Sequence, residues 1–207
     1  MSSPRLNLPN VLTLIRMPLT FAIVGLMYGR WPWAATVAFW LFIAAAISDW
    51  LDGKLAREQH TVSDFGKFMD ALADKVLVLG VMAAVLDLGY LRVPGVLVML
   101  MFLIMLTREF MISGLRMMAA ARGVVMAAER GGKVKTIIQM TALGFLLGEP
   151  MFARDLPRIW SGPTAALAEV IYWIGFVLLL ASMWFMLSSM ANYYRKYRHV
   201  LFDPPAA

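Results

Sequence analysis

Six apolar stretches, each near the length that a bilayer requires, divide the chain, and several carboxylates stand at their ends. A hydrocarbon core about 30 Å thick takes roughly 20 helical residues. Segments of that order fall at about 10–29, 33–52, 69–89, 94–117, 134–153 and 165–192. The pattern predicts an all-α membrane protein of six transmembrane helices, forming one domain over residues 1–207 with no internal repeat. Pro32 and Pro94 fall at helix starts, where a missing amide proton is harmless. The region of Gly123, Gly131 and Gly132, and the stretch from Glu149 to Pro163, read as connections.

Composition agrees with this reading. The chain is 61% hydrophobic and only 15% charged, with a mean hydropathy of +0.71, too apolar for an ordinary soluble domain. The absence of Cys excludes disulfide and thiolate chemistry, and the 17 Met suit core and lipid-facing packing. Residues Met1 to Asn10 carry only Arg5 as a charge and lead into an apolar stretch without a small-residue cleavage site, so no cleaved signal peptide is expected.

Charge then orients the helices. With both termini in the cytoplasm, that side receives 15 of the 19 Lys and Arg, leaving Arg30, Arg92, Arg154 and Arg158 outside. The best expectation is a bacterial cytoplasmic membrane with the carboxylates facing inward. The formal charge of +6 is explained by topology and anionic headgroups rather than by nucleic acid. The tail from Tyr193 to Arg198 reads as an interfacial anchor, with rings at headgroup depth and cations outside.

Candidate chemistry resides in four acids. Asp49 and Asp52 are three residues apart and Asp70 and Asp74 four apart, so each pair shares a helix face. Carboxylates at a membrane boundary are costly unless something positive neutralises them. Two facing pairs make an oxygen-rich pocket suited to Mg²⁺ or Mn²⁺, with positions open to phosphate oxygens. Gly53 and Gly66 permit close backbone approach beside the pairs. Arg57 suits a diphosphate or a plain surface charge, and Lys67 and Lys75 offer Asp70 and Asp74 ordinary ion pairs; the four acids together favour metal.

A second group is basic. Arg108 and Glu109 lie near the cytoplasmic end of the fourth segment, Arg116 follows Glu109 by seven residues, and Lys133 and Lys135 open the fifth. Glu109 is expected to neutralise and orient Arg116, leaving a cluster suited to a dianionic phosphate. Arg122 and Arg130 are better explained by topology.

The pattern D-x2-D-G-x2-A-R-x8-G-x3-D-x3-D, filled by Asp49, Asp52, Gly53, Ala56, Arg57, Gly66, Asp70 and Asp74, resembles the signature of the CDP-alcohol phosphotransferase family. The resemblance implies a six-helix membrane enzyme, usually a homodimer, that moves a phosphatidyl-type group from a CDP-linked donor to an alcohol and releases CMP. It implies two divalent metal ions on Asp49, Asp52, Asp70 and Asp74, with Asp74 as general base. Gly53, Ala56, Arg57, Ser63 and Gly66 would lie at the CDP moiety, with Asn10 and Thr13 near the cytidine; helix capping is the simpler role for Asn10. Thr107-Arg108-Glu109, Ser113-Gly114-Leu115-Arg116, Gly132-Lys133-Val134-Lys135-Thr136 and the opening run from Pro9 to Arg16 are similar to segments of the phosphatidylglycerophosphate synthases. That narrower likeness implies CDP-diacylglycerol as donor, drawn from the surrounding membrane lipid. It also implies sn-glycerol 3-phosphate as acceptor, held by Arg108, Arg116, Lys133 and Lys135. Inositol-phosphate, cardiolipin and phosphatidylserine synthases are the alternatives within the family. Outside it stand an aspartate-rich prenyltransferase and a small cation carrier.

Overall fold

The computed structural model describes residues 8–58, 64–123 and 130–202, with side chains at 15–48, 69, 71–123 and 134–197. Among these residues six α-helices follow one another, without strands: α1 (Leu8–Met27), α2 (Ala34–Glu58), α3 (Asp64–Asp87), α4 (Gly95–Ala121), α5 (Arg130–Pro150) and α6 (Thr164–Phe202). Each overlaps one expected apolar segment. Three stretches, Gly95–Ala121, Val134–Arg158 and Thr164–Tyr197, are long and apolar enough by length and composition to cross a bilayer, as an integral membrane protein requires.

The helices outrun their apolar segments where chemistry is expected. α2 continues to Glu58 and α3 begins at Asp64, so the backbone at positions 49, 52, 70 and 74 is helical. Gly131 and Gly132 lie in the first turn of α5 rather than in a connection, since glycine costs a helix only about 1 kcal/mol per residue. The stretch from Glu149 is also more helical than expected. Pro150, whose missing amide proton interrupts the α ladder, is followed by a π turn at Met151–Asp155 and a 3-10 turn at Leu156–Arg158.

α1 lies against α2 and α3, α5 lies along α6 and touches α2, and α4 bridges α3 and α6. Their shared core includes Phe42 of α2, Leu77 and Met82 of α3, Met105 of α4, Leu143 of α5 and Leu179 of α6. Lipid tails are as apolar as these side chains, so association depends on fit. At Gly175 a Cβ would approach Leu146 Cγ to 3.1 Å; glycine is what lets α6 lie so close to α5.

The loop end opposite the acids is tied by polar contacts. Asp155, 4% exposed, accepts from the amide of Trp33 at 3.2 Å and from the amide and hydroxyl of Thr36 at 2.9 and 2.8 Å. A carboxylate from the π turn thus caps the start of α2 and secures Trp33, whose φ of 73° a bulky residue rarely adopts. Arg92 pairs with Glu149 and Glu169, stacks 4.2 Å above the Tyr172 ring and donates its amide to the Tyr172 hydroxyl at 3.0 Å. The Tyr28 hydroxyl donates to Asp87 at 2.7 Å, which pushes the phenol pKa up.

At the other end, Tyr193 and Tyr197 are buried against Ile112, Leu115 and Ala119 of α4. This corrects the anchor expected of the tail. Two of its tyrosines fasten α6 to α4 because they recur at the helical spacing of four, while Tyr194 between them is exposed.

Candidate active site

Glu109 gathers charges from two helices. Its Oε1 accepts from Arg108 Nη1 at 3.0 Å and from Lys135 Nζ at 2.5 Å. Arg108 is 7% and Lys135 4% exposed, so each cation needs a partner in the apolar bundle. One carboxylate serving two cations leaves the trio with one positive charge in excess.

α3 enters the same neighbourhood through adjacent residues. Lys75 Nζ donates to Ser113 Oγ at 2.5 Å, and Ser113 Oγ donates one turn back to the Glu109 carbonyl at 2.7 Å. Asp74, half-buried, lies within electrostatic reach of Lys135. α3, α4 and α5 thereby place an acid beside a cationic cluster, an arrangement that can hold a phosphate near a proton acceptor.

Arg116 has other company. Its Nη2 donates to the Tyr193 hydroxyl at 3.2 Å, and its guanidinium stands 6.0 Å from the same ring. The pairing expected between Glu109 and Arg116 is therefore replaced by Glu109 with Arg108 and Lys135. Seven residues carry Arg116 about 10 Å along the helix, and α6 supplies the nearer partner.

Two buried groups on the helices that supply this cluster are unsatisfied. Gln139 is 1% exposed, and neither its amide nitrogen nor its oxygen has a hydrogen-bond partner; Arg108 Nε is likewise unpartnered. Gln139 is not among the residues singled out from sequence, whereas Lys75 reads there as an ion-pair partner for Asp74 and Ser113 only as part of a segment similar to the phosphatidylglycerophosphate synthases. The available signal for Gln139 was a polar residue four positions after Lys135, hence on the same helix face.

The side chains of Asp49, Asp52, Asp70, Gly53, Ala56, Arg57, Ser63, Gly66, Asn10, Thr13 and Lys133 lie outside the described residues. Among the described residues no three acids or imidazoles cluster as a metal site. The chemistry of the donor set nevertheless fits a hard divalent cation: four carboxylates at helical positions, with Asp74 half-buried and Lys135 within its field.

Comparison with known proteins gives these residues a setting. The family model for CDP-alcohol phosphatidyltransferase matches residues 6–192. A protein of Bacillus subtilis named CDP-diacylglycerol-glycerol-3-phosphate 3-phosphatidyltransferase is 36% identical over 191 residues, covering 86% of this chain and 92% of the relative. One of that name from Salmonella typhimurium is 39% identical over 149 residues, 70% of this chain and 78% of the relative. A cardiolipin synthase (CMP-forming) of rice is 32% identical over 204 residues, 95% of this chain but only 59% of the relative's length. With nearly its whole length matched by the model and by relatives above 30% identity, the chain belongs to the CDP-alcohol phosphatidyltransferase family.

Proposed function

We propose that the chain transfers a phosphatidyl group from CDP-diacylglycerol to sn-glycerol 3-phosphate, giving phosphatidylglycerophosphate and CMP. The observation that carries the acceptor choice is the Glu109 cluster, two buried cations sharing one half-buried carboxylate, beside Asp74. A phosphorylated acceptor matches it where a neutral alcohol does not. The bacterial relatives named for this acceptor support the same reading.

Arg108 and Lys135 hold the acceptor phosphate, with Lys133 and the more exposed Arg116 contributing at its approach. Asp74 takes the proton from the attacking hydroxyl. Gly53, Ala56, Arg57, Ser63 and Gly66, with Asn10 and Thr13, receive the CDP portion. Asp49, Asp52, Asp70 and Asp74 hold two Mg²⁺ or Mn²⁺ ions, which when bound neutralise charge on the diphosphate as CMP leaves. We read all six helices as spans, since the 20 residues of α1, 25 of α2 and 24 of α3 also meet the length of a bilayer crossing. The site faces the cytoplasm of a bacterial inner membrane, and the enzyme works as a homodimer.

Purified protein with CDP-diacylglycerol and Mg²⁺ should release CMP when given glycerol 3-phosphate, and chelation should stop it. The rice relative favours a second reading, cardiolipin synthesis. CMP release with phosphatidylglycerol and none with glycerol 3-phosphate would establish that alternative.

A further inference from the structure

Gln139 lies on α5 four residues after Lys135, hence on the same helix face and about 6 Å along it. Its side-chain amide is sealed from solvent with every hydrogen-bonding atom unused. A buried amide in this condition destabilises the fold, and an apolar residue of the same size would serve packing better. The usual resolution of such an orphan is a polar ligand that supplies the missing partner.

The chemistry of the orphans narrows that ligand. Arg108 Nε can only donate, which suits a phosphate oxygen, and its guanidinium already shares Glu109 with Lys135. The Gln139 amide can both donate and accept. A hydroxyl, which also does both, satisfies it more fully than a phosphate oxygen or a cation. A phosphate at Arg108 and Lys135 with a hydroxyl one helical turn further on describes a short polyol phosphate.

We propose that Gln139 is a specificity-determining residue that hydrogen-bonds the non-reacting 2-hydroxyl of glycerol 3-phosphate; the assignment rests on the acceptor reading given above. It predicts that the enzyme rejects 3-hydroxypropyl phosphate, which has the same phosphate and reacting hydroxyl but no 2-hydroxyl, because the amide would stay unpaired.

The test compares both acceptors in wild type and Gln139→Leu, following CMP release and thermal unfolding. Wild type should prefer glycerol 3-phosphate by about tenfold or more in kcat/KM. Gln139→Leu should lose about that factor with glycerol 3-phosphate, keep its rate with 3-hydroxypropyl phosphate, leave the KM for CDP-diacylglycerol unchanged and unfold no earlier than wild type. Equal losses with both acceptors, or a raised KM for the CDP-lipid, would overturn the proposal in favour of a structural or nucleotide role. Gln139→Asn, which keeps an amide but shortens its reach, should erode the same preference and provides the comparison if the leucine variant does not fold. Wild-type protein that fails to use glycerol 3-phosphate defeats the acceptor reading and this inference together. Normal turnover with an unaltered preference in Gln139→Leu defeats the inference alone.

Discussion

The two ends of the bundle handle polar and charged groups in opposite ways. At the loop end, Asp155 receives three hydrogen bonds from Trp33 and Thr36, and Arg92 is shared between two glutamates and an aromatic ring. At the acid end, one glutamate serves two cations, while Arg108 Nε and the whole Gln139 amide go without partners. Complete satisfaction marks the end that holds the fold together. Unspent hydrogen-bonding capacity lies at the end where the proposed acceptor would complete the arrangement.

The largest effect of substitution is expected at Asp74. Asp74→Asn should cut turnover on the order of 10²–10⁴-fold, the usual worth of a positioned general base, while the protein stays folded by thermal unfolding. Near-normal turnover would remove the base assignment. Glu109→Gln comes next: stranding two buried cations should destabilise the protein by about 3–5 kcal/mol, read as a large drop in unfolding temperature along with activity. An unchanged melting point would show that Arg108 and Lys135 find other counter-charges.

Asp155→Ala should cost about 1–2 kcal/mol, the range for a lost helix cap, and leave both substrate KM values where they were. A change in KM would mean that the loop end communicates with the site. Arg92→Leu is the mildest of the series. Arg92 and Glu169 are about half exposed, and screening limits such a pair to less than about 1 kcal/mol. Arg116→Ala should raise the acceptor KM less than Lys135→Ala does, since Arg116 is exposed and occupied by Tyr193; the reverse order would return it to the centre of the acceptor site.

Much of this was legible from residue order alone. Apolar run length located all six helices, and the spacing of the four aspartates agrees with the helical backbone found at their positions. Helix ends were less legible: Gly131, Gly132 and the stretch after Glu149 carry breaker residues, yet α5 begins at Arg130 and a π turn continues the coil after Pro150. The partner of Glu109 was misread because Arg116, at a spacing of seven, shares its face but not its height along the axis. The true partners are its own neighbour Arg108 and Lys135 from another helix, a long-range pairing that spacing within one helix cannot reveal. The Asp155 cap escaped for the same reason, since 119 residues separate it from Thr36.

The length of α6 has its own consequence. Its 39 residues extend about 58 Å at ~1.5 Å per residue, nearly twice a hydrocarbon core of about 30 Å. The start of α6 is held at the loop end by Glu169, so the surplus stands on the side of the acids, where Tyr193 and Tyr197 bind it to α4. The far end of α6 therefore runs beyond what a hydrocarbon span needs, and the Tyr193 and Tyr197 contacts keep that extension against the bundle.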